Sequence, residues 1–203
     1  MTAPASLLTE VTDNIAIVRL ARPSRRNSLS FATLVELKET ISELLVRNEI
    51  RAIILTGSQD VFAAGADLSE LSQLDPRAAE EFARLGQGAF QVIADARVPT
   101  VAAVSGYCMG GGLDLALSCD IRVSSSSAVF AHPGAKRGII TGWGGTQRLP
   151  RLVGRARALE LFVTARSIRS DEALMMGLVS RVADPVLDCA LAVARLAVGA
   201  KTE

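Results

Sequence analysis

The apolar positions of this chain fall into short runs separated by small or polar residues. Residues 15–20, Ile-Ala-Ile-Val-Arg-Leu, alternate little and are rich in β-branched side chains, which predicts a buried strand. Ser30 then offers a cap for a helix over about 31–46. Phe31, Leu34, Val35, Leu37, Ile41, Leu44 and Leu45 supply its apolar face. Residues 52–57 predict a second buried strand ending on Gly57, and 62–68, Phe-Ala-Ala-Gly-Ala-Asp-Leu, a loop of small residues. A helix follows over about 77–96, stopped by Pro99. Residues 100–106 predict a third buried strand. The glycine turn 110–112 leads into a helix around 113–118. Short strands are expected at 121–125 and 128–133. A Gly-rich loop over 138–150 then leads to helices near 156–165 and 171–176, a last strand in 177–182 and a last helix over 186–198. Strands and helices alternate, so the pattern predicts an α/β domain with largely parallel strands.

Composition changes this picture only by exclusion. The 203 residues suffice for one domain with a sizeable core. The 22 basic and 21 acidic residues nearly cancel, leaving no electrostatic case for nucleic acid or an anionic membrane. No apolar run reaches the roughly 18 residues of a membrane span, and the N-terminal residues lack the pattern of a signal peptide. Cys108, Cys119 and Cys189 are odd in number and widely spaced, which fits reduced thiols and a cytoplasmic location better than disulfides. With a single histidine, His132, a zinc or iron–sulfur site is not expected.

The candidate chemistry lies in the two small-residue loops, Ala63-Ala64-Gly65-Ala66-Asp67 and Met109-Gly110-Gly111-Gly112-Leu113-Asp114. Each follows a buried strand and precedes a helix. Such turns leave backbone N–H groups free to face an anion at a helix N-terminus. A pair of them suggests two donors on one oxygen, an oxyanion hole, in which each donor stabilises developing charge by roughly 3–4 kcal/mol. Asp114 follows Gly111 by three residues, so one helical turn brings carboxylate and donor together. The ordinary alternatives are two structural turns and an acid that favours a helix N-terminus.

Four ordered segments carry a resemblance: Phe-Ala-Ala-Gly-Ala-Asp-Leu at 62–68, the stretch 104–123 around Gly110–Asp114, Gly-Gly-Thr-Gln-Arg-Leu-Pro-Arg-Leu-Val-Gly at 144–154, and Gly-Leu-Val-Ser-Arg-Val at 177–182. In this order they resemble the enoyl-CoA hydratase/isomerase (crotonase) family over about residues 14–182. The resemblance implies repeated β-β-α units wound into a spiral, and assembly as trimers or hexamers. It also implies acyl-CoA thioesters as substrates, with coenzyme A as part of the substrate and no further cofactor. The oxyanion donors would be the N–H groups of Ala66 and Gly111. Asp114 would stand where the hydratases carry one of two catalytic glutamates. The second glutamate would fall at Gly134, which has no side chain to transfer a proton, and a further Asp of some dienoyl-CoA isomerases would fall at Gly142. His132, two residues from Gly134, is the nearest group able to titrate near neutral pH, against the plain alternative of a packed or solvated histidine.

The same resemblance puts Arg22, Arg25 and Arg26 beside the phosphates of coenzyme A, although three arginines in a turn also make an ordinary solvated patch. It puts Ala64, Leu68 and Gly110 in the substrate loops, with Asp67 near the adenine end or, on its own chemistry, capping the next helix. Trp143 is assigned either to the acyl pocket or to the core. The family continues with a further helical segment beyond Ala200-Lys201-Thr202-Glu203, so the resemblance also predicts a shortened C-terminal part. Two rival functions lack their motifs. No Gly-x-Gly-x-x-Gly follows the first strand, and no Gly-x-Ser-x-Gly is present. A non-catalytic acyl-CoA binder remains the third rival, because of Gly134.

Overall fold

The computed structural model describes residues 5–199. Its strands form two sheets. The larger has six strands: β1 (Leu7–Thr12), β2 (Ile15–Leu20), β3 (Ala52–Thr56), β5 (Thr100–Val104), β7 (Ile121–Ser124) and β10 (Arg181–Val182), adjacent in that order. All neighbours are parallel except the β1–β2 hairpin. The smaller has four strands: β4 (Val61–Ala63), β6 (Tyr107–Met109), β8 (Val129–Ala131) and β9 (Ile168–Arg169). The chain alternates between them. β3 passes to β4, β5 to β6 and β7 to β8, each step followed by a helix. This is the repeated β-β-α architecture expected from the resemblance.

The helices are α1 (Phe31–Val46), α2 (Leu68–Leu71), α3 (Pro76–Ala94), α4 (Gly111–Ser118), α5 (Gly145–Val153), α6 (Arg155–Thr164), α7 (Ser170–Met175) and α8 (Val186–Gly199). Both faces of the large sheet are covered, which explains why its strands read as continuous apolar runs. Ile15, Ile17, Ile54, Val101 and Val123 face α8 through Val186, Ala190, Val193 and Ala194. Ala16, Val18, Ile53, Leu55, Ala102 and Val104 face the main core with Leu34, Leu37 and Ile41 of α1 and Phe82, Phe90 and Ile93 of α3. Ser30 caps α1, accepting from the Thr33 N–H at 3.1 Å.

Three expectations need correction. The loop predicted at 62–68 opens as strand, because β4 pairs with β6 in the small sheet. The Gly-rich stretch predicted as loop becomes α5 from Gly145 on, although Pro150 lies inside it. Burial of Leu149 and Val153 against the core outweighs the lost backbone bond there. Only Arg181 and Val182 of the strand expected in 177–182 pair with β7. The structure also adds β1. Only Leu7 of that strand is buried, so no alternation marks it. Its turn residues Asp13 and Asn14 both take positive φ, the geometry of a tight hairpin.

Candidate active site

The two small-residue loops meet. Leu29 donates to Gly65 O at 2.8 Å and accepts from the Asp67 N–H at 3.2 Å, pinning the first loop on both sides of Ala66. The Ala66 N–H has no acceptor among the described residues. The Gly111 N–H, the first of α4, has none either, as helix geometry requires of an N-terminal donor. A Cβ placed on Gly111 would lie 3.5 Å from the Ala66 N, so the two free donors are close neighbours. Gly65 is fixed by the same approach. It has φ +96°, and a Cβ there would come 2.7 Å from Met109 O and 3.1 Å from the Gly111 N.

Asp114 lies one turn along α4 and is fully buried. Its Oδ2 accepts from the Thr141 hydroxyl. The backbone N–H groups of Trp143 and Gly145 and the charge of Arg148 also favour the carboxylate. Burial outweighs these donors, and the carboxyl is pushed up to about 7. Gly145 allows this approach, since a Cβ there would strike Asp114 Oδ1. That same Oδ1 has no hydrogen-bond partner among the described residues.

His132 sits across from it, with Nε2 3.5 Å from Asp114 Oδ1. The pair is close but not aligned as a hydrogen bond, and neither imidazole nitrogen has a partner among the described residues. Its ring rests on Phe162 at 4.9 Å between centroids. Burial pushes the imidazole down to about 4, so it is neutral at pH 7. Buried polar atoms without partners are rare. Three atoms of this kind belong to Asp114 and His132, and two of them, Oδ1 and Nε2, face each other.

The remaining candidates scatter in role. Trp143 belongs to the main core and yet touches the site, because its indole lies where a Gly111 side chain would be. Asp67 caps α2, accepting from the Ser69 N–H at 3.0 Å, with its other oxygen on Ser28 at 2.9 Å. Arg22 turns inward, donating to the hydroxyls of Ser30 and Thr33 at 3.1 and 3.3 Å. Arg25 and Arg26 are exposed, and the Arg26 carbonyl accepts from the Ala64 N–H at 3.0 Å. Leu68 is exposed at the start of α2, and Gly110 precedes α4 with φ +52°. Gly134 follows His132 in a 3-10 turn, where a Cβ would collide with Ile139 O. The loop as folded thus has no room for the side chain that its relatives were expected to carry there.

Sequence reasoning missed Thr141, Gly145 and Arg148. Gly145 stood in plain view in a Gly-Gly pair. Nothing local marks Thr141 as the hydroxyl that meets Asp114 across 27 residues.

Residues 10–200 match the family described as enoyl-CoA hydratase/isomerase. The chain is similar to the short-chain-enoyl-CoA hydratase of Clostridium acetobutylicum, 41% identical over 181 residues that cover 89% of this chain and 69% of that protein. It is 40% identical to the crotonyl-CoA hydratase of Syntrophomonas wolfei, covering 89% and 70%. Among solved structures, DspI of Pseudomonas aeruginosa superposes with a TM-score of 0.93 at 34% identity, covering 97% of this chain and 81% of that one. The enoyl-CoA hydratase of Bacillus anthracis superposes at 0.91 and 33%, covering 95% and 76%.

Proposed function

Because this chain belongs to the enoyl-CoA hydratase/isomerase family, we infer that it binds acyl-CoA thioesters and acts on them through an enolate, with Asp114 as its single catalytic carboxylate. The observation that carries this reading is the free Oδ1 of a fully buried Asp114 on the same helix turn as the free Gly111 donor. The thioester oxygen takes both N–H groups, of Ala66 and Gly111. These donors are fixed before the charge appears, so no reorganisation is needed when it does. Coenzyme A is part of the substrate. Exposed Arg25 and Arg26, on the loop bonded to Ala64, are the groups offered to its phosphates.

Isomerisation asks least of this site. Asp114 takes a proton from C2 of a 3-enoyl thioester, and the electron pair moves toward the thioester oxygen. The same proton returns at C4, leaving the double bond at C2=C3. Hydration asks for more. Asp114 must take a proton from water as the water oxygen bonds to C3. The π pair moves to the thioester oxygen, and the enolate then takes the proton from the Asp114 carboxyl at C2. One carboxyl serves as base and then as acid, because Gly134 offers no second one. Asp114 itself holds the proton between the two steps, and neutral His132, with Nε2 3.5 Å from the free Oδ1, faces it there. The reading is therefore of an isomerase or slow hydratase. The closed-in Gly134 also favours a second reading, an acyl-CoA binder without turnover.

Conjugated thioester absorbance tests both readings. It falls with crotonyl-CoA on hydration and rises with a 3-enoyl-CoA on isomerisation. Isomerisation is expected to be faster. A hydration kcat at or above ~10² s⁻¹ would refute the one-carboxylate argument. Heat of binding with butyryl-CoA but no turnover of either substrate would leave the binder.

A further inference from the structure

Trp143, the only tryptophan of the chain, connects the two halves of the site. Its backbone N–H faces the Asp114 carboxylate, and the Cε3–Cζ3 edge of its indole lies against Gly111. A Cβ on Gly111 would collide with that edge, and a Cβ on Gly86 of α3 would collide with the indole Nε1 side. Two helices thus carry glycine where the ring passes between them. The ring is held from the other directions too. Nε1 donates to Phe82 O at 3.3 Å, and the rings of Phe82 and Phe90 pack edge-on at 5.2 and 5.6 Å between centroids. It is 5% exposed.

On its other side Trp143 lines a surface groove of about 450 Å³, together with Gln87, Gln91, Thr146, Gln147 and Arg148. The indole therefore stands between the catalytic donors and this groove. An acyl group whose carbonyl oxygen sits on Ala66 and Gly111, and whose reacting carbons face Asp114, must lie along Trp143. Long alkyl chains would have to displace a ring fixed by two phenylalanines and a hydrogen bond.

We propose that Trp143 is the specificity-determining residue of the acyl site, ending the space behind the oxyanion donors so that short acyl groups are accepted over long ones. The proposal rests on the acyl-CoA reading above. Displacing a packed side chain to fit extra methylenes loses affinity steeply, since one methylene in a fitted pocket decides a factor of roughly 10–200.

Binding of saturated acyl-CoAs separates the two ideas, because it needs no turnover. Calorimetry on the wild-type protein should give at least about tenfold tighter binding of butyryl-CoA than of decanoyl-CoA. Trp143 emission should shift with butyryl-CoA and stay unchanged with coenzyme A alone. Trp143→Phe and Trp143→Ala should bring decanoyl-CoA affinity to that of butyryl-CoA or beyond. Phe is the milder change, and it and the wild-type emission decide the matter if the Ala variant does not fold. Equal affinity for the two thioesters in the wild type, or an unchanged ratio in folded Trp143→Phe, overturns the proposal while leaving acyl-CoA binding intact. No heat with any acyl-CoA overturns the functional reading itself, and this proposal with it.

Discussion

The chain turns from strand to helix through small residues twice, and each turn delivers an aspartate into the first turn of a helix or just before it. Asp67 and Asp114 are chemically the same group in similar local sequence. Asp67 ends with its donors in place. Ser69 and Ser28 hold both of its oxygens, and the Ser69 hydroxyl is the first cause of a carboxyl held below its ordinary value. Asp114 is driven the other way, pushed up to about 7 by burial, with one oxygen left unpaired opposite a neutral histidine. Helix-terminal aspartates are common, and satisfied ones serve stability. A buried one with a free oxygen carries a cost that folding alone does not explain. Placing a carboxylate near a helix N-terminus therefore does not distinguish a cap from a base. The number of donors that reach it does.

The largest effect should come from removing the charge where it is least satisfied. Asp114→Asn keeps the shape and deletes the base, so turnover should fall about 10²–10⁴-fold. Unchanged turnover in the folded variant would reduce Asp114 to the same structural role as Asp67. Removing His132 should cost less, and the choice of replacement matters. His132→Gln keeps a polar atom facing Oδ1, whereas His132→Leu does not. The Leu variant should lose more kcat than the Gln variant, at similar KM. Equal losses would mean that His132 only fills space.

The pH dependence sharpens the contrast because the two aspartates have opposite signs. Activity that needs ionised Asp114 should rise with pH through about 7 and level off above it, read as kcat/KM for isomerisation. The titratable and charged groups around that carboxyl are His132, Cys108 and, through its Coulombic pull, Arg148. Stability should run against activity. The folded carboxyl binds its proton more tightly than the unfolded one at 3.8, so its penalty is absent below about pH 4, grows as pH rises and is complete above about 7. Asp114→Asn should therefore raise the melting temperature at pH 8, with the gain fading by pH 5. His132 acts oppositely. Its imidazole is held down to about 4, so the folded state loses stability as pH falls below the ordinary 6.5.

How much of this was legible depended on distance along the chain. Strands β2, β3 and β5 and helices α1 and α3 could be read from local periodicity, since both faces of the large sheet are covered and apolar residues therefore run on unbroken. Asp114 and its loop were also legible, because the glycines and the acid lie within six residues. Of the small sheet only β8 was, inside the strand expected at 128–133. Its strands are two or three residues long and take their identity from partners more than 20 residues away. Of the wall of the site only Trp143 was a candidate. Thr141 and Gly145, which also reach Asp114, lie where glycine and Pro150 argue for a loop, although α5 starts at Gly145. Gly134 shows the limit of carrying a motif over residue by residue. The sequence shows a missing side chain, and only the fold shows that Ile139 O closes the position.

The smallest effect concerns the satisfied aspartate. Asp67→Ala removes the acceptor of the Ser69 N–H and frees the Ser28 hydroxyl, so it should cost about 1 kcal/mol, the usual cost of losing an N-cap. In a domain of this size that is a fall of about 2–4 °C in melting temperature. Asn caps nearly as well, so Asp67→Asn should recover most of the loss. A carboxyl held below its ordinary value contributes stability above that value, 3.8, and loses it as pH falls through its lowered one. The gap between wild type and Asp67→Ala should therefore be full at pH 7 and narrow in strong acid, the reverse of the trend at Asp114. Affinity for butyryl-CoA should hold in both variants. If it drops while the melting temperature stays put, Asp67 touches the ligand, and the two turns are two parts of one binding site rather than a cap and a base.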